Sequence, residues 1–287
     1  MRPLVVTTVS ALLALAVTIP ARAQGKGKGN GHQSKPPSSN PLPTPEAIAP
    51  STAGAVPFAW IDDASVLPAG SAALTIMALR WQGTDVGEVD VPVLGVAAGL
   101  APRLQIGASI PRVVGNDASG VIGGLGTSYV SAKFGVLTGQ QPSGIKLAVA
   151  PTLQILGEGA LQGLAPDQSR TQFGLPVSME VDRGAVRVFA STGFFSRGVW
   201  FAGGGVGARA TPRVAVSAAV SRAWATSAID APAGDRREVS GSVAFQASPQ
   251  MSVFGSLGRT VATSDQDGAG TTLTGGVMFL LPAPVRK

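Results

Sequence analysis

The amino-acid sequence predicts an all-β protein, a transmembrane antiparallel up-and-down β-barrel of about twelve strands, with ten and fourteen as alternative counts. Three observations lead to this prediction. Apolar and polar residues alternate with period two over segments of about 10–14 residues, whereas strands of soluble sheets usually have about five or six. A gap-free repeat that begins with proline occurs three times. Short and longer connections alternate along the chain, as in outer-membrane barrels.

The composition excludes several classes of function. The 287 residues include 38 Gly, 22 Pro and no Cys, which excludes a disulfide scaffold, a thiolate metal site and a Cys nucleophile. The single histidine, His32, nearly excludes His-based catalysis and His-ligated metals. We therefore expect no catalytic residues, no metal, no cofactor and no enzymatic activity. The formal charge of +6 is concentrated in the first 57 residues, so a basic stripe for nucleic acid is not expected.

The first residues predict export. Residues 1–23 carry Arg2, an apolar run and the small-x-small sequence Ala21-Arg22-Ala23, which is typical of a cleaved secretory signal peptide. An uncleaved anchor helix is the alternative. Residues 24–57 form a Gly/Lys/Pro/Ser-rich linker that cannot bury enough apolar surface to fold. The barrel is then expected over 58–287, in the outer membrane of a bacterium.

The alternation defines the strands in order. Within 145–155, Ile145 and Leu147 face one way, and Lys146 and Ala148 face the other. A tilted strand of about 9–11 residues crosses a bilayer, and each predicted segment is long enough. The predicted strands are 71–82, 88–100, 103–112, 124–138, 144–157, 170–182, 185–196, 198–210, 213–226, 236–247, 250–262 and 270–281.

The repeat indicates where strands meet the membrane surface. Residues 101–114, 211–224 and 248–261 align without gaps, and each has a proline followed ten positions later by an arginine. Ten residues at about 3.3 Å, tilted by about 45°, rise roughly 23 Å, which is close to the height of an apolar band. Each arginine is in phase with the apolar face, where it can reach lipid phosphates; alternatively, it ends a soluble strand. Six residues are predicted at the membrane interface: Arg112, Arg222, Arg259, Trp81, Trp200 and Trp224.

Connection lengths agree with this arrangement. Counted along the chain, the even-numbered connections are short, and three of them are the proline turns at Pro102, Pro212 and Pro249. Most odd-numbered ones are longer and polar or Gly-rich. Short periplasmic turns alternating with longer outer loops are the pattern of bacterial barrels. An even number of strands places both chain ends on the periplasmic side, so the linker lies in the periplasm or folds back into the pore.

Three stretches carry a resemblance to a known family. They are IDDASVLPAG at 61–70, GLAPRLQIGASIP at 99–111 and the tripeptide Ala132-Lys133-Phe134. Residues 61 to about 155 resemble the outer-membrane transporter family associated with the meta-pathway of phenol degradation. The resemblance implies a barrel that admits hydrophobic aromatic compounds, and it brings no catalytic residue.

The inward face is expected to line a lumen. Many Ala and Gly residues on this face leave room inside the barrel. One hypothesis is that Lys133, Lys146 and Arg187 create a weak positive field, opposed by Glu180 and Asp182; the alternative is that these charges pair and stabilise the wall. The predicted lumen-facing residues are Gln105, Ser109, Lys133, Lys146, Thr152, Gln154, Glu180 and Arg187.

Two acidic pairs invite a metal interpretation, but a simpler one is favoured. Asp62-Asp63 is interpreted as a solvated turn, and Asp265 with Asp267 as a polar loop.

The function expected from the whole sequence is passive passage of small solutes, hydrophobic or aromatic ones being suggested by the resemblance. The alternatives are a non-conducting structural barrel with interacting loops or linker, and a secreted soluble β-sandwich. The expected partners are outer-membrane lipid, a small-molecule solute and the barrel assembly machinery.

Overall fold

The structure is a computed structural model, and it describes residues 63–84, 87–116, 124–140, 144–157, 169–196, 198–225, 235–264 and 268–283. The predicted signal peptide at 1–23, the linker at 24–57 and the residues His32, Asp62, Asp265 and Asp267 lie outside this part of the chain. In the ranges given above, no helix is long and apolar enough to cross a membrane.

Apart from residues 63–71, the turns and three strand breaks, the described residues lie in strands. Their boundaries match the predicted segments closely, because period-two alternation and proline or glycine turns define both ends. The strand segments are β1 Ala72–Gln82, β2 Gly87–Ala101, β3 Leu104–Asn116, β4 Gly124–Leu125, β5 Ser128–Thr138, β6 Ile145–Val149, β7 Thr152–Ile155, β8 Thr171–Gly174, β9 Val177–Arg183, β10 Val186–Phe195, β11 Val199–Thr211, β12 Val214–Ala225, β13 Arg236–Ser248, β14 Met251–Thr263 and β15 Thr271–Leu281.

Three barrel strands are interrupted, and each is made of two consecutive segments: β4 with β5, β6 with β7, and β8 with β9. The sequence predicts each of them as one continuous strand, so the structure corrects this detail. Two of the breaks contain proline, which has no N–H for the ladder. The Pro151 and Pro176 carbonyls still accept hydrogen bonds from Ala132 and Ala150 at 3.0 and 2.9 Å. The sheet therefore continues across both breaks.

The sheet closes on itself. β1 pairs with β2 on one side and with β15 on the other, from Ala72 opposite Leu281 to Gln82 opposite Thr271. All pairings between neighbouring strands are antiparallel, and the remaining strands follow in sequence order around the barrel. Counting each interrupted strand once, the described residues form a closed antiparallel barrel of twelve strands. This confirms the predicted fold class, and it excludes the soluble two-sheet sandwich.

The barrel is more apolar on its outward face than on its inward face, which is the reverse of a soluble protein with an apolar core. In β14, Leu257 is 56% exposed, whereas the neighbouring Ser256 is only 6% exposed. The same alternation carries Ile106, Val220 and many other large apolar side chains to the outward face. The buried residues include sixteen polar or charged ones, most of them Ser, Thr, Gln, Asp and Glu, beside eleven hydrophobic ones. An apolar exterior around a polar interior is the arrangement of a barrel in a lipid bilayer.

The barrel has two distinct rims. At the short-turn rim, β1 begins, β15 ends, and the connections 102–103, 184–185, 212–213 and 249–250 join successive strands. Thr138 and Ile145, on either side of the connection between β5 and β6, lie at this rim as well. The remaining connections join strand ends at the opposite, long-loop rim, and the longest of them separates β7 from β8. Gly184 in one of the short turns has φ +64°, a left-handed conformation that glycine adopts without a steric cost.

Candidate functional site

The chain enters the barrel before the first strand. We call residues 63–70 the entry segment; they lead into β1 at the short-turn rim. Its end is fixed to β2, since the Gly70 N–H donates to the Gly99 carbonyl at 2.7 Å and the Gly99 N–H donates to Ser71 at 2.9 Å. A Cβ on Gly99 would collide with the carbonyl oxygens of Leu67 and Pro68. Glycine at this position therefore allows the entry segment to lie directly on the inner wall.

Asp63 anchors the start of the entry segment inside the barrel. Its carboxylate accepts a hydrogen bond from the Arg187 guanidinium at 3.2 Å and lies 3.8 Å from the Lys133 ammonium. Lys133 also donates to the Asp63 main-chain carbonyl at 3.2 Å. Asp63 is only 3% exposed, so the interpretation of this residue as part of a solvated turn is corrected. The sequence shows an exposed-looking Asp-Asp pair, but the charges that bury Asp63 are 70 and 124 residues away.

A second group of charges holds the middle of the entry segment. The Ser65 hydroxyl donates to the Glu180 carboxylate at 3.1 Å, and it accepts a hydrogen bond from Lys146 at 3.1 Å. Lys146 pairs with Glu180 at 2.9 Å and with Asp182 at 2.7 Å. Glu180 is fully buried, at 1% exposure. One lysine, one serine and two carboxylates thus connect the entry segment to β6 and β9.

The inner charges balance one another. Lys133, Lys146 and Arg187 face Asp63, Glu180 and Asp182, and every one of the six takes part in an ion pair. This geometry corresponds to the pairing alternative of the sequence analysis rather than to an unopposed positive field. Among the described residues, no group of three or more His, Cys, Asp or Glu side chains could hold a metal ion.

The other predicted lumen residues also lie on the inward face. Gln105 accepts a hydrogen bond from the Leu67 N–H at 2.9 Å, so it fixes the entry segment as well. Gln154 donates to the Tyr129 hydroxyl at 3.2 Å, and both residues belong to the inner wall. Ser109 lies opposite Tyr129 in the β3–β5 pairing. Thr152 is buried and donates to the Ala150 carbonyl at 2.7 Å, which places it in the wall beside the β6–β7 break.

Removing the Lys146 ammonium should destabilise the barrel. In Lys146→Met, the buried Glu180 loses its cationic partner and keeps only the Ser65 hydroxyl among these contacts. We expect the free energy of unfolding to fall by about 1–3 kcal/mol. Urea titration of the purified protein in detergent, followed by tryptophan fluorescence, measures this change. The double variant Lys146→Met/Glu180→Gln should regain part of the loss, and a double variant less stable than the single one would contradict the pairing.

The inner wall also carries phenylalanines that the sequence analysis did not single out. Each of them lies directly opposite a glycine on the neighbouring strand, and a Cβ on that glycine would collide with the phenyl ring. The rings therefore lie along the wall instead of filling the barrel. Phe189 and Phe195 alternate in phase with Arg187 along β10, and this pattern is the signal in the sequence that could have identified them. The pairs are Phe189 with Gly205, Phe195 with Gly174, Phe201 with Gly193 and Phe254 with Gly276.

A further inner cluster lies at the long-loop rim. The sequence predicts Trp81 at the membrane interface, but the structure places it on the inward face, opposite the buried Thr272. The Arg236 guanidinium stacks 5.3 Å from the Trp81 ring centroid and pairs with the buried Glu238 at 2.9 Å. The Thr260 hydroxyl also donates to Glu238, at 3.3 Å. Trp81 lies near the strand end, where interface residues are expected, but the alternation of side chains along β1 points its ring into the barrel.

The remaining predicted interface residues lie near the long-loop rim. Arg112, Arg222 and Arg259 are exposed on the outward face. Trp200 is 41% exposed and pairs in register with Trp224, whose ring lies 5.1 Å from the Arg222 guanidinium. Interfacial tryptophans beside arginines are typical of the boundary between hydrocarbon and headgroups.

Comparison with known proteins supports the fold. Neither protein-family models nor curated protein sequences match the chain. Among solved structures, the COG4313 outer membrane channel from Pseudomonas putida F1 superposes with a TM-score of 0.58 at 13% identity, covering 76% of this chain and 98% of that one. The KdgM porin and the NanC porin each superpose with a TM-score of 0.51, at 9% and 12% identity, covering 71% and 72% of this chain and 98% of theirs. The chain therefore has the fold of an outer-membrane β-barrel, and the resemblance to the meta-pathway family stays a prediction.

Proposed function

We propose that this protein is an outer-membrane channel through which small solutes diffuse passively. One observation carries the proposal: a closed twelve-strand barrel with an apolar exterior and a polar interior. Such a barrel is stable with lipid outside and polar contents inside. The shared fold with an outer membrane channel and with two porins supports the same location and role. Insertion by the barrel assembly machinery follows from that location and is part of the proposal.

For the solute, we propose small hydrophobic or aromatic compounds. The support is the sequence resemblance over residues 61 to about 155. Of the inner phenyl rings, only that of Phe254 is partly exposed, because Phe189, Phe195 and Phe201 are at most 2% exposed. The entry segment and its ion pairs narrow the passage, so the proposed solutes are small.

A second function is favoured by the entry segment itself. Asp63 and Ser65 are tied to β5, β6, β9 and β10 inside the barrel. A barrel closed by such a segment would be a non-conducting structural protein whose loops or linker interact with partners. The two functions differ in one measurable property, the passage of ions and solutes.

The deciding experiment uses the purified full chain in detergent. An SDS gel of unboiled and boiled samples first establishes that the barrel is folded, because closed barrels resist SDS until heated. The protein is then added to planar lipid bilayers, and uptake into proteoliposomes is compared for a labelled monoaromatic acid and a sugar of similar mass. Discrete conductance steps with faster uptake of the aromatic compound are expected. A folded barrel without steps or uptake would favour the structural function, and equal uptake of both solutes would contradict the proposed solute class.

A further inference from the structure

Four arginines form a continuous row on the outward face at the long-loop rim. Arg80, Arg222, Arg237 and Arg259 are all exposed and lie on β1, β12, β13 and β14. These strands are contiguous in the barrel, with β15 between β1 and β14. We call these four residues, with Asp235, the arginine patch. Because the patch lies outside the barrel, the channel function does not use it.

Hydrogen bonds and strand register connect the members of the patch. Arg222 lies directly opposite Arg237 in the β12–β13 pairing. Arg259 donates to the Thr271 hydroxyl at 2.9 Å, and Thr271 lies opposite Gln82 on β1. Arg80 donates to the Gln82 side chain at 3.1 Å. The positive row thus extends over five neighbouring strands.

The patch has an excess of positive charge. Like charges directly opposite on neighbouring strands are destabilising, yet Arg222 and Arg237 are held together here. Asp235 bridges them, with contacts of 2.8 and 2.9 Å to Arg222 and 2.9 Å to Arg237. The hydrogen bonds from Arg222 hold the pKa of this carboxyl below its ordinary value. Among the described residues of the patch, one carboxylate stands against four guanidinium groups, so these groups can accommodate further anionic oxygens.

The surface next to the patch is apolar. On the side of the barrel middle, the outward residues of the same five strands are large and exposed: Ile76, Val220, Val239, Leu257 and Leu273. A row of guanidinium groups next to an apolar band is complementary to a molecule that has phosphate groups at one end and acyl chains at the other. We propose that the arginine patch binds the phosphate groups of an anionic lipid headgroup, with the acyl chains lying over the apolar residues.

The test is native mass spectrometry of the detergent-purified protein titrated with lipid A that carries two phosphates. The variant R237Q/R259Q removes two guanidinium groups of the patch, and about a tenfold or greater loss of affinity is expected. R209Q/R213Q is the matched control, since it removes two exposed arginines at the short-turn rim and should bind within about twofold of the wild type. Both variants are first shown to be folded by the unboiled SDS gel.

Three further binding measurements test whether the phosphate groups of an intact lipid are what the arginine patch binds. Asp235 lies just before the first residue of β13. The Asp235→Asn variant should bind the lipid more tightly, because the guanidinium groups of Arg222 and Arg237 then no longer pair with a carboxylate. Dephosphorylated lipid A should bind poorly, and inorganic phosphate at equal concentration should not displace the intact lipid. Equal losses in the two double variants, equal binding of dephosphorylated lipid, or weaker binding by Asp235→Asn would overturn the proposal. Displacement by inorganic phosphate would overturn the assignment to a lipid.

Discussion

Replacing Asp63 with alanine is expected to raise the single-channel conductance of the purified protein and to shift its ion selectivity toward anions. The substitution removes the carboxylate that contacts Arg187 at 3.2 Å and lies 3.8 Å from Lys133. Both cations then remain on the inner wall without this counter-charge. Breaking a buried ion pair by removing one partner costs about 3–5 kcal/mol. A cost of about 3 kcal/mol corresponds to a roughly 100-fold increase in the population of the released entry segment.

The measurement is the conductance and the reversal potential in planar bilayers under a salt gradient. The matched control is Asp235→Asn, because Asp235 is also a carboxylate paired with arginine but lies on the outside at the opposite rim. The control should leave both quantities at wild-type values. If Asp63→Ala and the wild type have the same conductance and the same reversal potential, the entry segment neither narrows the passage nor neutralises its wall. Rising conductance in both variants would show a general loosening of the barrel instead.

The outward face of the barrel could be predicted from sequence because its signal is local. Ile106, Val216 and Val253 occupy equivalent positions in the three repeats, and all are exposed on the outer wall. Period two assigns neighbouring side chains to opposite faces, and a proline turn defines where the strand starts. Both properties depend on residues within one strand. Fold class, strand number and turn positions therefore follow without knowledge of any long-range contact.

The interior could be predicted only in part, because its contacts are distant in sequence. The alternation of side chains along their strands places Lys133 and Arg187 on the inner wall. No pattern in the neighbouring sequence identifies Asp63 as the partner of either residue. Trp81 shows the limit of an argument from strand position. It lies near the end of its strand, as an interface residue would, but its side chain points into the barrel. The breaks at Pro151 and Pro176 were also missed, because neighbouring carbonyls preserve the sheet across them. In each case, the deciding information is the identity of the neighbouring strand.

The phenylalanine–glycine pairs of the inner wall lead to the second large prediction. Gly193 lies opposite Phe201, and a Cβ at this position would be 2.6 Å from the phenyl ring and 2.9 Å from the Pro176 Cα. The ring can rotate, but the Pro176 backbone cannot move without distorting the sheet. Gly193→Val is therefore expected to lower the free energy of unfolding by about 1–3 kcal/mol or more. It should also reduce the fraction of protein that migrates as a folded, heat-sensitive band on SDS gels.

Gly115→Val provides the matched control, since the same substitution is made in another strand. A Cβ on Gly115 would have no atom within 4 Å, and a β-branched side chain suits an extended backbone better than glycine does. This variant should be as stable as the wild type, or more stable by up to about 1 kcal/mol. Urea titrations of the three proteins in one detergent measure the difference. An equal loss in both variants would mean that glycine is needed for strand flexibility in general, whereas a loss confined to Gly193→Val would mean that the phenyl rings need glycine beneath them to lie flat along the wall.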